Sequence, residues 1–190
     1  MTAVKKKLDV QQLVLCATFT ALIAIGAFIR IPVPLIPFTL QLFFVTMAGF
    51  LLGPKTGTVS AGLYLGLGLV GLPIFTEGGG PTYVLKPTFG YIIGFVLAAY
   101  VVGKIATAER NPSLKRLLFA ALAGLVVCYT CGILYCYAIT NWVLGVQNGF
   151  WHVFWVGGVL VAPGDIVLGI LAATIAKRLI PHLQLSLIHI

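Results

Sequence analysis

Two charged residues in apolar surroundings, Asp165 and Lys86, are the strongest candidates for chemistry in this chain. Asp165 follows Pro163 and Gly164 at a predicted helix start, where unpaired backbone N–H groups and the helix dipole favour a carboxylate. The carboxylate could have no role beyond accepting hydrogen bonds from those N–H groups. However, an ionisable group at or below a membrane interface is costly, and its presence there favours a functional role. We therefore expect Asp165 to bind a ligand.

Three further charges accompany Asp165. Lys86 could hold a substrate carboxylate if it faces the same cavity, or it could be a lysine whose charge reaches the membrane surface. The sequence leaves both interpretations open. Arg30, at the end of the first apolar segment, is the rival cation. Glu77, which precedes three glycines, is either an ordinary loop charge or a ligand contact.

Known catalytic patterns are missing from the sequence. It contains no phosphate-binding G-x-x-x-x-G-K-[ST] loop, no H-E-x-x-H or G-x-S-x-G motif, and no close pair of carboxylates. Cys128 and Cys131 form a C-x-x-C pattern inside an apolar segment, where helix packing is a better explanation than metal or redox chemistry. We expect no catalytic residue, no metal and no cofactor. If the protein moves a solute against a concentration gradient, another subunit must supply the energy.

The elements that carry these residues are predicted to be membrane helices. Of the 190 residues, 60% are hydrophobic and only 8% are charged, whereas soluble domains average about 25% charged residues. The net charge of +8 comes without a basic stripe and interleaved aromatics, so no nucleic-acid partner is expected. We predict a single all-α domain, residues 1–190, integral to the lipid bilayer of the cell membrane.

Length and hydropathy predict six transmembrane helices, since a helix needs about 20 residues to cross a hydrocarbon core of about 30 Å. The predicted spans are residues 13–31, 37–53, 57–74, 88–106, 117–140 and 163–180. The last begins at Pro163 because proline is favoured at the first helical position. Residues 75–87 form an external loop, and residues 141–162 form an interfacial loop that contains three tryptophans.

The positive charges predict the orientation of these spans. Ten of the twelve lysines and arginines fall on one side, and Arg30 and Lys86 fall on the other. The positive-inside rule then places both chain termini in the cytoplasm. The ten residues on the cytoplasmic side are Lys5, Lys6, Lys7, Lys55, Lys104, Arg110, Lys115, Arg116, Lys177 and Arg178.

Glycine pairs spaced four residues apart suggest closely packed helices. The pairs are Gly53 with Gly57, Gly62 with Gly66, and Gly90 with Gly94. Each is weak evidence by itself in a chain with 22 glycines.

A series of motifs, in order along the chain, carries a family resemblance. They are Ile31-Pro-Val-Pro34, Pro37-Phe-Thr-Leu-Gln41, Leu52-Gly-Pro-Lys-Thr-Gly57, Glu77-Gly-Gly-Gly-Pro81, Lys86-Pro-Thr-Phe-Gly-Tyr91 and Pro163-Gly-Asp165. Over about residues 13–178 the chain resembles the BioY family, the biotin-specific S components of energy-coupling factor (ECF) transporters. The resemblance implies a six-helix S-component fold that binds biotin from outside. It also implies docking on a transmembrane coupling protein driven by two ABC-type ATPases.

The resemblance and the chemistry of biotin together imply a set of site residues. The ureido N–H groups of biotin would donate to Asp165, a charge-assisted arrangement. The residues expected to pack against the rings are Tyr83, Phe89 and Tyr91, and those expected to complete the polar contacts are Gln41, Thr88 or Lys86. The loop of Glu77, Gly78, Gly79 and Gly80 would gate the cavity. Ala17 and Ala21, one turn apart, would dock on the coupling protein.

Two departures from the family pattern affect the site, and the first is that many members have a glycine where Lys86 and Phe89 stand. Many members also have a lysine three residues after the Pro-Gly-Asp aspartate, where this chain has Leu168. We expect Lys86 to replace that cation. An S component for another vitamin, thiamine or riboflavin, is the nearest alternative function. A small membrane enzyme acting on a lipid and a non-transporting membrane scaffold are more distant alternatives.

Overall fold

The computed structural model describes residues 10–32 and 36–188. The predicted cytoplasmic lysines Lys5, Lys6 and Lys7 lie outside the described residues, as do positions 33 and 34 of the first family motif. The helices are α1 Val10–Phe28, α2 Gln41–Val70, α3 Phe89–Ala106, α4 Leu114–Ala138, α5 Phe150–Phe154 and α6 Ala162–Ile188.

Short elements connect these helices. Strands β1 (Arg30–Ile31) and β2 (Phe38–Thr39) pair antiparallel between α1 and α2, with Arg30 opposite Thr39. A 3₁₀ turn, Pro81–Leu85, precedes α3. Two π-helical turns, Ile139–Val143 and Trp155–Val159, follow α4 and α5.

Five helical stretches of the described residues are long and apolar enough to cross a membrane, where the sequence predicts six spans. They are Val10–Phe28, Gln41–Val70, Phe89–Ala106, Leu114–Val143 and Phe150–Pro181. The numbers differ because most of the predicted span 37–53 and most of the predicted span 57–74 belong to one element, α2. One residue inside α2, Gly53, departs from helical geometry, with φ 75° and ψ −176°.

The α2 element reverses direction at that residue. Gln41 Nε2 lies 2.6 Å from the hydroxyl of Tyr64, whereas a straight helix would separate these residues by about 34 Å at its rise of 1.5 Å per residue. A Cβ atom on Gly57 would lie 2.9 Å from the carbonyl oxygen of Ala48. Residues 41–52 and 54–70 are therefore two antiparallel legs. The positive φ favours glycine at position 53, and Pro54 can begin the second leg because its missing N–H is not needed there.

Several helix ends differ from the predicted spans, and at the start of α4 a capping residue accounts for the difference. Helix α4 starts at Leu114 rather than 117, because Ser113 caps it by accepting a hydrogen bond from the backbone N–H of Arg116 at 3.3 Å. Helix α6 starts at Ala162, one residue before the predicted position, and continues to Ile188. The predicted interfacial loop 141–162 contains α5, and all three of its tryptophans are exposed.

Glycines allow α3 to pack closely on both neighbours. A Cβ atom on Gly94 would lie 2.8 Å from the carbonyl oxygen of Cys128 on α4, and one on Gly103 would lie 2.5 Å from the backbone nitrogen of Pro54 on α2. By contrast, Cβ atoms on Gly62 and Gly66 would meet nothing within 4 Å. The close packing of α2, α3 and α4 fixes the walls of the site described next.

Candidate ligand-binding site

A cavity lies where β2, α2, α3, α4 and α6 meet, at the end of the molecule that carries the loop between α2 and α3. About 50 Å³ of its space is accessible to a water-sized sphere, and the cavity is partly open at the surface. Much of its wall is apolar, with Ile36, Leu42, Ile92 and Phe95 among the lining residues. The polar groups come from five separate elements, so the fold rather than any single motif assembles them.

Asp165 lines this cavity from the first turn of α6. Only 7% of its surface is exposed. The hydroxyl of Tyr129, on α4, donates a hydrogen bond to Asp165 Oδ2 at 2.5 Å. Within the described part of the chain this is the one side-chain hydrogen bond to the carboxylate. A carboxylate has about four acceptor positions, so Asp165 keeps most of its capacity for a ligand.

Gln41 lines the cavity from the first residue of α2, and its amide is held in a fixed orientation. Its Nε2 donates to the Tyr64 hydroxyl at 2.6 Å, and its Oε1 accepts from the Thr39 hydroxyl at 3.2 Å. The Tyr64 hydroxyl in turn donates to the carbonyl of Ile74 at 3.2 Å. Since an amide nitrogen has two hydrogens, Gln41 retains one donor for a ligand.

Three hydroxyl groups form a chain along the loop side of the cavity. Tyr83 is bonded to Thr76 at 2.9 Å and to Thr88 at 3.1 Å. Thr76 and Thr88 line the cavity, whereas Tyr83 lies behind them and is almost fully buried. Tyr83 therefore supports two lining residues from behind, and the ring contact predicted for it stays a prediction.

The other two predicted aromatic contacts differ in position. Tyr91 lines the cavity, and its hydroxyl donates to the carbonyl of Gly157 at 2.9 Å. Phe89 is buried but is not among the lining residues, and its ring lies 5.7 Å from that of Tyr135. The structure thus brings Tyr91, Gln41, Thr88 and Asp165 together around one space, and Phe89 packs outside it.

The two cations that the sequence places on the external side both contact the loop between α2 and α3. Lys86 Nζ lies 3.1 Å from Glu77 Oε2, and the two side chains are 50% and 43% exposed. Neither is among the cavity-lining residues. Arg30 Nη1 donates to the backbone carbonyl of Thr76. Lys86 is therefore already paired with an acidic residue, and its predicted contact with a substrate stays a prediction.

Tyr129 is a site residue that no sequence pattern indicated. It is one of several tyrosines along α4, and no local pattern distinguishes it from Tyr135 or Tyr137. Only the packing of α4 against α6 places its hydroxyl on Asp165. Thr39 and Thr76 were missed for a related reason, because their positions depend on the strand pair and on the loop conformation.

Comparisons with known proteins agree on one family. The BioY family profile matches residues 2–185. The chain is 48% identical over 174 residues to a probable biotin transporter BioY of Lysinibacillus sphaericus, covering 92% of this chain and 89% of the relative. It is 38% identical over 170 residues to the biotin transporter BioY of Thermotoga maritima, covering 89% and 95%.

A solved structure shares the fold. It is the crystal structure at 2.1 Å of the S-component for biotin from an ECF-type ABC transporter, with a TM-score of 0.78 and 30% sequence identity. The match covers 93% of this chain and 94% of that one. The mostly helical architecture is therefore that of an ECF S component.

Proposed function

Because this chain belongs to the BioY family, we propose that it is a biotin-binding S component that serves biotin uptake. The observation that carries the proposal is the buried carboxylate of Asp165, which has free acceptor positions in an otherwise largely apolar cavity. Biotin has the matching chemistry: a ureido ring with two N–H donors and one carbonyl acceptor, an apolar thioether ring, and an aliphatic tail that ends in a carboxylate.

The proposed binding mode follows from these groups. The ureido N–H groups donate to Asp165, and a charge-assisted bond of this kind is strong where water is excluded. Gln41 or Thr88 donates to the ureido carbonyl, and Tyr91 packs beside the apolar walls against the fused rings. The predicted contacts of Tyr83 and Phe89 belong to the same proposal as outer contributions to the site, and Lys86 and Arg30 are the two candidate cations for the ligand carboxylate.

A calorimetric titration of the purified protein tests this function. Biotin is expected to bind tightly, and desthiobiotin more weakly because it lacks the thioether ring. Thiamine and riboflavin are expected to give no heat of binding, because neither offers the same pair of N–H donors beside an apolar ring. Absence of heat with biotin in a folded sample would refute the proposal. Binding of thiamine or riboflavin instead would establish the nearest alternative.

The proposed topology has six spans with both termini in the cytoplasm. The two antiparallel legs of α2 would cross separately, with the Gly53 reversal at the cytoplasmic face. Basic residues next to the helix ends on that side support this orientation: Arg116 donates to the carbonyl of Ile105, and Lys177 donates to that of Pro112 at 2.9 Å. A cysteine introduced at Lys55 should resist a membrane-impermeant thiol reagent in intact cells, and labelling there would contradict the topology.

The loop of Glu77, Gly78, Gly79 and Gly80 is proposed as the external gate. Gly78 and Gly80 have φ values of 112° and 102°, a conformation that favours glycine. The adjoining Thr76 lines the cavity, so a bound ligand would contact the loop directly. We expect saturating biotin to slow protease cleavage within this loop, while thiamine leaves the rate unchanged. Equal cleavage with and without biotin would argue against a gate.

Docking on a transmembrane coupling protein, driven by two ABC-type ATPases, is proposed for the face of α1 that carries Ala17 and Ala21. Both alanines are exposed, whereas Cys16 and Thr20 face the second leg of α2. The Thr20 hydroxyl donates to the carbonyl of Ser60 at 3.0 Å. The two alanines therefore face away from the bundle, and small residues permit close approach of another helix.

Enlarging these alanines is expected to separate uptake from binding. Ala17→Trp and Ala21→Trp should each reduce cellular biotin uptake by about tenfold or more, since overpacking a helix contact costs about 1–3 kcal/mol. Biotin affinity of the purified variants should stay unchanged. Leu122→Trp adds bulk to an exposed position on α4 and serves as the control. Normal uptake by both alanine variants would place docking elsewhere.

A further inference from the structure

The charge of the cavity is unbalanced for a ligand with a carboxylate tail. Of the lining residues that the structure describes, only Asp165 is charged, and its carboxylate has the same sign as that tail. If the ureido ring lies against Asp165, the carboxylate must lie at the other end of the ligand. A carboxylate at that end requires a cation or several N–H donors.

Lys86 is poorly suited to supply that charge. Its ammonium is 3.1 Å from Glu77, so binding a second carboxylate there would place two negative groups around one lysine. Arg30 has no such acidic partner. Within the described residues, the ion pairs join Lys86 with Glu77 and Arg116 with Glu109, and neither involves Arg30.

Arg30 is also held beside the cavity by two contacts. In the β1–β2 pair it lies opposite Thr39, and its Nη1 donates to the backbone carbonyl of Thr76. Thr39 and Thr76 both line the cavity, although they come from different parts of the chain. A guanidinium has five N–H donors in a planar arrangement. The bond to Thr76 therefore orients the group at the rim and leaves donors for a carboxylate.

We propose that Arg30 binds the carboxylate of the ligand at the rim of the cavity, opposite Asp165, and so determines selectivity for an acidic tail. The inference rests on the proposed function, since biotin supplies both the ureido ring and the carboxylate. Asp165 and Arg30 would together fix the direction of the ligand, with N–H donors inward and the carboxylate toward the loop.

The test compares biotin with its neutral primary amide. Arg30→Gln keeps N–H donors on a shorter side chain but carries no charge. It should weaken biotin binding by about tenfold, the typical effect of one charge-assisted hydrogen bond, and change binding of the amide by less than about twofold. Arg30→Lys should recover part of the loss. Lys104→Ala, which removes a charge near the opposite end of α3, should change neither affinity.

Three results would decide against this inference. Equal weakening of biotin and the amide by Arg30→Gln would show that Arg30 only holds the loop. A biotin-selective loss in Lys86→Ala and not in Arg30→Gln would assign the contact to Lys86. Unchanged biotin affinity in both Arg30→Gln and Lys86→Ala would show that neither cation binds the ligand carboxylate. If the parent protein binds neither biotin nor its amide, the proposed function itself is refuted. Titration of the parent protein shows this before any variant is made.

Discussion

Asp165→Ala is expected to abolish high-affinity biotin binding, with Kd rising by about hundredfold or more. The carboxylate is buried, and in the proposed mode it accepts both ureido N–H groups. Each hydrogen bond to a charged group is worth about 1.5–3 kcal/mol, and about 2.7 kcal/mol already corresponds to a hundredfold change in Kd. Titration calorimetry of the purified variant measures the loss directly.

Two further variants separate charge from shape at this position. Asp165→Asn keeps the side-chain size but has one carbonyl acceptor in place of a carboxylate, and it should show an intermediate loss. Tyr129→Phe removes the donor that holds Asp165 Oδ2 at 2.5 Å and should weaken binding by about tenfold. Parent-like affinity in a folded Asp165→Ala sample would exclude Asp165 as the ureido acceptor.

Gly94→Leu is expected to destabilise the protein by about 1–3 kcal/mol or more through overpacking. A Cβ atom at this position would lie 2.8 Å from the carbonyl oxygen and 2.9 Å from the Cα atom of Cys128. Both are backbone atoms of α4, so no side-chain rotation can relieve the contact, and α3 and α4 must move apart. Thermal unfolding in detergent should show the lower stability.

The same substitution at Gly62 provides the matched control. Both positions are helical, but a Cβ atom at Gly62 would meet nothing within 4 Å. Gly62→Leu should therefore be neutral or slightly stabilising, because leucine is a better helix former than glycine by somewhat less than about 1 kcal/mol. Because α3 and α4 both line the cavity, Gly94→Leu should also weaken biotin binding. Equal melting temperatures for the two variants would contradict the packing assigned to Gly94.

The position of Asp165 could be predicted because its determinants are local. Proline is favoured at the first position of a helix, and Pro163 predicts the start of α6 to within one residue. The boundary between the predicted spans 37–53 and 57–74 likewise coincides with the reversal at Gly53. Composition alone indicated membrane helices.

The remaining features depend on contacts between distant parts of the chain. Gly62 with Gly66 and Gly90 with Gly94 have the same spacing, yet Gly94 faces a neighbouring backbone and Gly62 does not. The sequence left Lys86 open between a substrate contact and a surface lysine, and only the loop conformation shows that it pairs with Glu77. Contacts between distant segments decide which glycine faces a neighbouring helix and which residue Lys86 meets, and no local sequence pattern reveals those contacts.

The hydroxyl groups of Thr76, Tyr83 and Thr88 have a consequence for how the cavity wall responds to a ligand. Each hydroxyl has one hydrogen and can also accept. When Tyr83 donates to Thr88, Thr76 donates to Tyr83, and only Thr88 keeps a hydrogen for the ligand. In the opposite arrangement only Thr76 keeps one. The two hydrogen bonds can therefore reverse direction together. A ligand acceptor at Thr88 selects one arrangement, and a ligand acceptor at Thr76 selects the other.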